Sequence, residues 1–233
     1  MNAIRVIKKI IILVMILIIP GFLYYLLTVK GKNRYHPLHI YGPWVLAKTK
    51  HRAGGKDVPD TIFHTLGDFN LLDQNDKAVS LKSMDGKIFV VDFFYTHCPD
   101  ICSTMNGYMD SLAVAYAKNN LVYFASITVD PKRDSAKALN AYSKQYSIHA
   151  PKWLFLTGDT ATVYNLARKG FLVNALDEGN GNFIYSDKIM LVDSHERIRG
   201  YYSGTSFTDI TRLNDEIKVL ISEELLTKEA PLY

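Results

Sequence analysis

Two sulfurs carry the plainest chemistry in this chain. Cys98 and Cys102 are the only cysteines in 233 residues, with three positions between them. Residues four apart on a helix share a face, so the two side chains can meet each other or one metal ion. A free cysteine is often just a small buried core residue. Sole occurrence, spacing and setting argue for function here. Pro99 suits the first turn of a helix, where its missing N–H is not needed. Met105, Met109, Leu112, Ala113 and Tyr116 then recur at helical spacing. That places Cys98 at a helix start and Cys102 one turn in, where the helix N-terminus stabilises thiolate over thiol. Redox chemistry and metal binding both remain open at this point.

The elements that must position this pair can be read on either side of it. Before it, Ile88–Phe94 is short and rich in β-branched and aromatic residues, as a buried strand is. Further upstream, 68–72 and 78–81 flank the turn cluster Asp73-Gln74-Asn75-Asp76 and predict a β-hairpin. After the cysteine helix, 121–128 is a second strand. It ends in Asp130-Pro131-Lys132-Arg133-Asp134, and Asp134 or Ser135 can cap a helix reaching Tyr146. A third strand spans 153–158. Asp159 caps a further helix, for which Gly170 offers a left-handed C-cap. Residues 189–193 and 198–202 form a hairpin across Ser194-His195-Glu196, and an amphipathic helix spans 207–226. Alternating strands and helices followed by a hairpin predict an α/β domain: a central mixed sheet flanked by helices. A dithiol where the first core strand enters its helix makes that domain thioredoxin-like.

At its N-terminus the chain is of another kind. Residues 10–29 carry no charge and, as a helix, reach about 30 Å, the thickness of a bilayer's hydrocarbon core. With Tyr24 and Tyr25 near one end and no small-residue cleavage site following, they predict one uncleaved N-terminal transmembrane helix. Arg5, Lys8 and Lys9 precede the span, and Lys30, Lys32 and Arg34 follow it, so charge barely discriminates its orientation. The short tail before it suggests a globular part on the exported side, periplasmic or equivalent. The expected organisation is a tail at 1–9, an anchor at 10–29, a linker at 30–60, a domain at 61–227 and a tail at 228–233. His36, His39 and His51 fall in the expected linker and are expected to be solvated. The net charge of +4 comes without a basic stripe interleaved with aromatics, which argues against a nucleic-acid partner.

Three segments resemble the Sco/SenC family, membrane-anchored thioredoxin-like proteins that assist cytochrome c oxidase assembly. Phe93-Phe94-Tyr95-Thr96-His97-Cys98-Pro99-Asp100-Ile101-Cys102 is similar to its Thr-x-Cys-Pro-x-x-Cys signature. Residues 126–135 resemble its Ser-Val-Asp-Pro-x-x-Asp-Thr segment, and 153–158 its third-strand segment. The resemblance implies that Cys98, Cys102 and one distant histidine bind copper, as Cu(I) or Cu(II). The metal then goes to the oxidase's dinuclear copper site, or the thiols reduce that site's cysteines. The implied partner is an oxidase subunit or another cysteine-containing assembly protein.

The resemblance places its histidine just before the strand at 189–193. An ungapped reading puts Tyr185 there, and no histidine lies between Pro151 and Ser194. A phenol is mostly protonated at neutral pH and is a poor Cu(I) ligand, whereas thiolates suit Cu(I) well. His97, beside Cys98, is the first substitute ligand to weigh and His195 the second. Asp100 and Asp130 are expected to be cap and turn residues, with Asp130 able to support the thiol pocket, and Met105 a core residue. Related reductases carry a cis-proline before the penultimate strand, where this chain has Tyr185-Ser186-Asp187-Lys188. A copper metallochaperone holding Cu(I) between two thiolates and a dedicated thiol–disulfide reductase are the two expectations that follow.

Overall fold

The computed structural model describes residues 2–26, 37–98, 101–179 and 182–229. It divides into two units, Met1–His36 and Pro37–Tyr233. Among the described residues of the first lies one helix, α1 (Asn2–Tyr25). Its stretch Val6–Tyr25 is long and apolar enough to cross a membrane, by length and composition. Residues 2–9, expected as a tail, are helical, and residues 27–29 of the expected span lie outside the described residues.

In the second unit the order is β1 (Trp44–Ala53), β2 (Lys56–Phe63), β3 (Asn70–Leu72), β4 (Ala78–Ser80), β5 (Ile88–Phe94) and α2 (Ile101–Ala115). There follow β6 (Val122–Thr128), α3 (Ala136–Ser143), β7 (Trp153–Leu156), α4 (Thr160–Asn165), β8 (Ala175–Gly179) and β9 (Asn182–Tyr185). The unit closes with β10 (Lys188–Val192), β11 (Ile198–Ser203) and α5 (Phe207–Glu229). The central sheet runs β11-β10-β5-β6-β7, with β5, β6 and β7 parallel and β10 antiparallel to both its neighbours. Every residue of β5 is buried, as a central strand covered on both faces must be. On one face α2, α3 and α5 close a core with Met105, Met109, Leu139, Leu213 and Ile217. On the other, Val163 and Leu166 pack with Phe93, Phe171 and the β3–β4 hairpin. The mixed sheet with helices on both faces, expected from the element order, is what the chain forms.

Three local expectations change. Residues 44–63, in large part assigned to a linker, form the antiparallel β1–β2 ribbon, turning through Gly54 and Gly55 at φ +57° and +80°. Two consecutive left-handed residues are what a tight hairpin turn requires, and mixed charges in the strands hid the pattern. Just before it, Arg199 reaches the Leu38 carbonyl at 2.7 Å and Glu223 accepts from the Leu38 amide at 2.7 Å. The ordered chain is thereby tied to β11 and α5 well before residue 61. Gly170 does not have a left-handed backbone; it is required because a Cβ would meet the Leu66 carbonyl oxygen at 2.7 Å. After α4 the chain widens into a π turn over 166–170, and Leu172, at φ +56°, is the left-handed residue. The hairpin β8–β9 had no counterpart in the expected order.

Candidate functional site

Cys98 follows β5 through the turn Tyr95-Thr96-His97, its amide donating to the Tyr95 carbonyl at 3.2 Å. Pro99 and Asp100, expected at the helix start, lie outside the described residues. Cys102 sits in the first turn of α2 and is 1% exposed, while Cys98 is half-buried. The two sulfurs are joined in a disulfide with their Cα atoms 5.9 Å apart. The spacing therefore brings the pair together as expected, with one sulfur nearer solvent than the other.

The turn that carries Cys98 is held from the β6 end. Asp134, buried, accepts from the Thr96 amide at 3.0 Å, the Thr96 hydroxyl at 2.5 Å and the Thr128 hydroxyl at 2.5 Å. Ser135, not Asp134, caps α3. Asp130 instead faces Arg133, whose Nε lies 3.0 Å from Oδ2. Support for the cysteine turn thus falls to Asp134 rather than Asp130. The sequence could place both acids in one segment without saying which of them turned inward.

Tyr185, the last residue of β9, brings its hydroxyl to 3.0 Å from Cys98 Sγ and 3.1 Å from Cys102 Sγ. A disulfide has no S–H, so the phenol donates, sharing one proton between two sulfurs. Its ring stands edge-on to Tyr95 with centroids 5.8 Å apart. Burial, with smaller contributions from Tyr95 and Asp92, pushes the phenol up to about 12. It is a neutral donor at physiological pH and not a phenolate ligand. Asp92 on β5 is fully buried and accepts from Ser126 Oγ at 2.6 Å, and that oxygen accepts in turn from Trp153 Nε1 at 3.0 Å. The other Asp92 carboxyl oxygen has no partner among the described residues. Burial pushes this carboxyl up to about 7, against the Ser126 hydrogen bond, which lowers it.

The substitute ligands stand differently. His97 is exposed, and its Nδ1 lies 2.9 Å from the Thr96 hydroxyl. That hydroxyl gives its proton to Asp134, so Nδ1–H is the donor and the neutral ring keeps its lone pair on Nε2. His195 lies in the β10–β11 turn. Because Val192 pairs with Phe89, that turn leaves the sheet at the start of β5, whereas Cys98 leaves beyond its end at Phe94. The seven residues of β5 span about 20 Å, so His195 is not a ligand for this pair. With Asp193 and Glu224 it forms a cluster able to hold a cation, with ligand atoms within 4.8 Å of one another. Its carboxylates are already engaged: Asp193 by Arg197 and Arg199, Glu224 by Ser194. Met105 is buried core, as expected.

The chain as a whole has counterparts elsewhere. A sequence profile of the family described as SCO1/SenC matches residues 59–222. The SCO1 protein homolog of Bacillus subtilis (strain 168) is 28% identical over 169 residues, covering 71% of this chain and 88% of that protein. Among solved structures, that of BsSco is similar with a TM-score of 0.62 at 27% identity, over 70% of this chain and 95% of that one. BsSco is a member of the Sco family of cytochrome c oxidase assembly proteins in which a disulfide switch was identified. Copper-bound ScoI of Bradyrhizobium japonicum is similar with a TM-score of 0.56 at 27% identity, over 66% and 98% of the two chains. With the matched profile spanning well over half of its length, this chain belongs to the SCO1/SenC family.

Proposed function

We propose that this protein is a membrane-anchored factor for assembling the copper site of cytochrome c oxidase, working chiefly by thiol–disulfide exchange through Cys98 and Cys102. The observation that carries this is Tyr185. Its hydroxyl occupies the position facing both sulfurs, and it brings a proton donor where a copper site of two thiolates and an imidazole needs a lone pair. In the reduced protein the more exposed Cys98 thiolate attacks a partner's disulfide, forming a mixed disulfide and releasing one partner thiolate. Cys102 then attacks Cys98 Sγ, releasing the second partner thiolate and restoring the Cys98–Cys102 bond. Two electrons pass to the partner, and solvent supplies the two protons that its thiols take up. The Tyr185 hydrogen bond stabilises sulfur anion as it forms.

Copper is cargo in a second reading, favoured by the copper-bound relative. Two thiolates four residues apart at the start of α2 suit two-coordinate Cu(I), with His97 Nε2 as a neighbouring imidazole donor, while Cu(II) lacks the nitrogen ligands it prefers. The helix α1 would hold the domain at the membrane with the domain on the exported side, where an oxidase subunit or another cysteine-containing assembly protein is the partner. Anaerobic Cu(I) titration of the reduced protein against a competing chelator separates the two readings. Weak but measurable binding is expected, and Tyr185→His should tighten Cu(II) binding. Absence of any Cu(I) binding would eliminate the cargo reading and leave exchange alone. A Cys98–Cys102 pair that neither reduces a model disulfide nor is reduced by thioredoxin-type donors would eliminate exchange.

A further inference from the structure

The β1–β2 ribbon has no buried residue among those described, although it runs for 20 residues. Its register pairs Trp44 with Phe63 and Leu46 with Thr61 on one face, and Val45 with Ile62 on the other. Trp44, Val45 and Leu46 are 60%, 60% and 61% exposed, and Ile62 is 56% exposed. A two-stranded ribbon with neither face covered is marginal in water, and a contiguous apolar patch of this kind marks a surface that something else covers. From the register shift between Leu46 and Lys50 onward the ribbon changes character. Lys48, Lys50, Arg52 and Lys56 stand exposed around the Gly54–Gly55 turn against two carboxylates, Asp57 and Asp60, the second engaged by His51 at 2.6 Å.

We propose that this ribbon is a lipid-contacting element that lies in the interfacial layer of an anionic bilayer, Trp44 and its apolar neighbours among the upper acyl chains and the basic turn among phosphate headgroups. Tryptophan beside an apolar patch, with cations at one end, is the composition of an interfacial segment. Apolar side chains on both faces fit a fluid layer that surrounds the ribbon better than a protein groove that takes one face. The excess of cations complements anionic headgroups. In sequence Trp44 follows Tyr25, the end of α1, by only 18 intervening residues. The proposal rests on the anchored reading given above.

The two tryptophans make the test direct, because Trp44 is exposed and Trp153 is fully buried. The full chain is reconstituted in nanodiscs of phosphatidylcholine and phosphatidylglycerol whose acyl chains are brominated. Emission is expected to be quenched relative to unbrominated discs, and the quenching to vanish in Trp44→Phe. Charge reversal by Lys50→Glu with Arg52→Glu, or discs of phosphatidylcholine alone, should reduce the quenching about twofold or more. Absence of quenching in a chain that has entered the discs overturns the proposal. Equal quenching in both lipids and in the charge-reversed protein overturns its anionic part. A Trp44 blue shift that grows with protein concentration in detergent assigns the surface to a second copy instead. A chain that fails to enter the discs refutes the anchor, and brominated vesicles added from outside then test the ribbon alone.

Discussion

At one end of the central sheet Asp134 gathers Thr96 and Thr128 beside Cys98, and at the other Asp193 gathers Arg197 and Arg199 beside His195. Both aspartates are buried, and both hold a turn by its backbone amides and side chains. Their donors differ in kind. Asp193 is held by two guanidinium groups as well as two amides, so its charge is compensated and its oxygens are spent. Among the described residues Asp134 is held by two hydroxyls and an amide, which fix the Cys98 turn with neutral donors. A histidine among carboxylates therefore marks a structural lock at one end. At the other end a pair of sulfurs with one phenol above them is left open to chemistry.

The largest expected effect is at the lock. Asp193→Ala removes one of the two carboxylates that hold the buried Arg199, together with the acceptor of two turn amides, and should cost about 3–5 kcal/mol in urea unfolding; a cost under 1 kcal/mol would mean the two ends do not differ in this way. Asp92 tests the buried carboxyl on β5. Its carboxyl is pushed up to about 7 from 3.8, so its stabilising contribution is complete below pH 3.8 and is lost as pH rises through 7. Between pH 4 and 8 wild type should lose on the order of 4 kcal/mol relative to Asp92→Asn, read from paired urea midpoints at the two pH values. Identical pH profiles would place the Asp92 proton elsewhere. Asp134→Ala should cost about 2–3 kcal/mol, because the Thr128 hydroxyl and the Thr96 amide lose their acceptor. It should also speed alkylation of reduced Cys98, a readout that Asp193→Ala leaves unchanged.

Smaller effects sharpen the contrast. Tyr185→Phe removes one hydroxyl from the sulfurs and should change stability by no more than about 1 kcal/mol. It should nonetheless shift the reduction potential of the Cys98–Cys102 pair, measured in thiol redox buffers; an unmoved potential would make Tyr185 a mere filler. Adding Zn²⁺ or Co²⁺ should leave the melting temperature where it is if the Asp193–His195–Glu224 cluster is a lock, since its oxygens already have donors.

Much of this was legible before any coordinates. Ile88–Phe94 declares itself a central strand by being apolar throughout, and Met105, Met109 and Leu112 declare the helix after it by their spacing. The order of strands and helices then leaves few sheets to choose from. What escaped were features whose signal is weak or nonlocal. The β1–β2 ribbon lacks a buried face, so it lacks the alternation that burial imposes on a strand. The β8–β9 hairpin is short, with strands of five and four residues. Gly170 looked like a helix cap because the carbonyl of Leu66, which excludes a side chain there, is 104 positions away in the chain.

The site divides along the same line. The sequence alone determined the dithiol, because four-residue spacing at a strand-to-helix junction is local geometry that every backbone bond enforces. An ungapped reading of the family resemblance also puts Tyr185 where a histidine is expected. Only the tertiary structure decided that Tyr185 meets both sulfurs, since it arrives on β9, 83 residues beyond Cys102. Tertiary structure likewise decided that Asp134 rather than Asp130 steadies the turn, and that His195 lies at the far end of the sheet. These contacts depend on strand register and on which side chains are desolvated. Both are set by the packing of distant segments, on which local sequence has no hold.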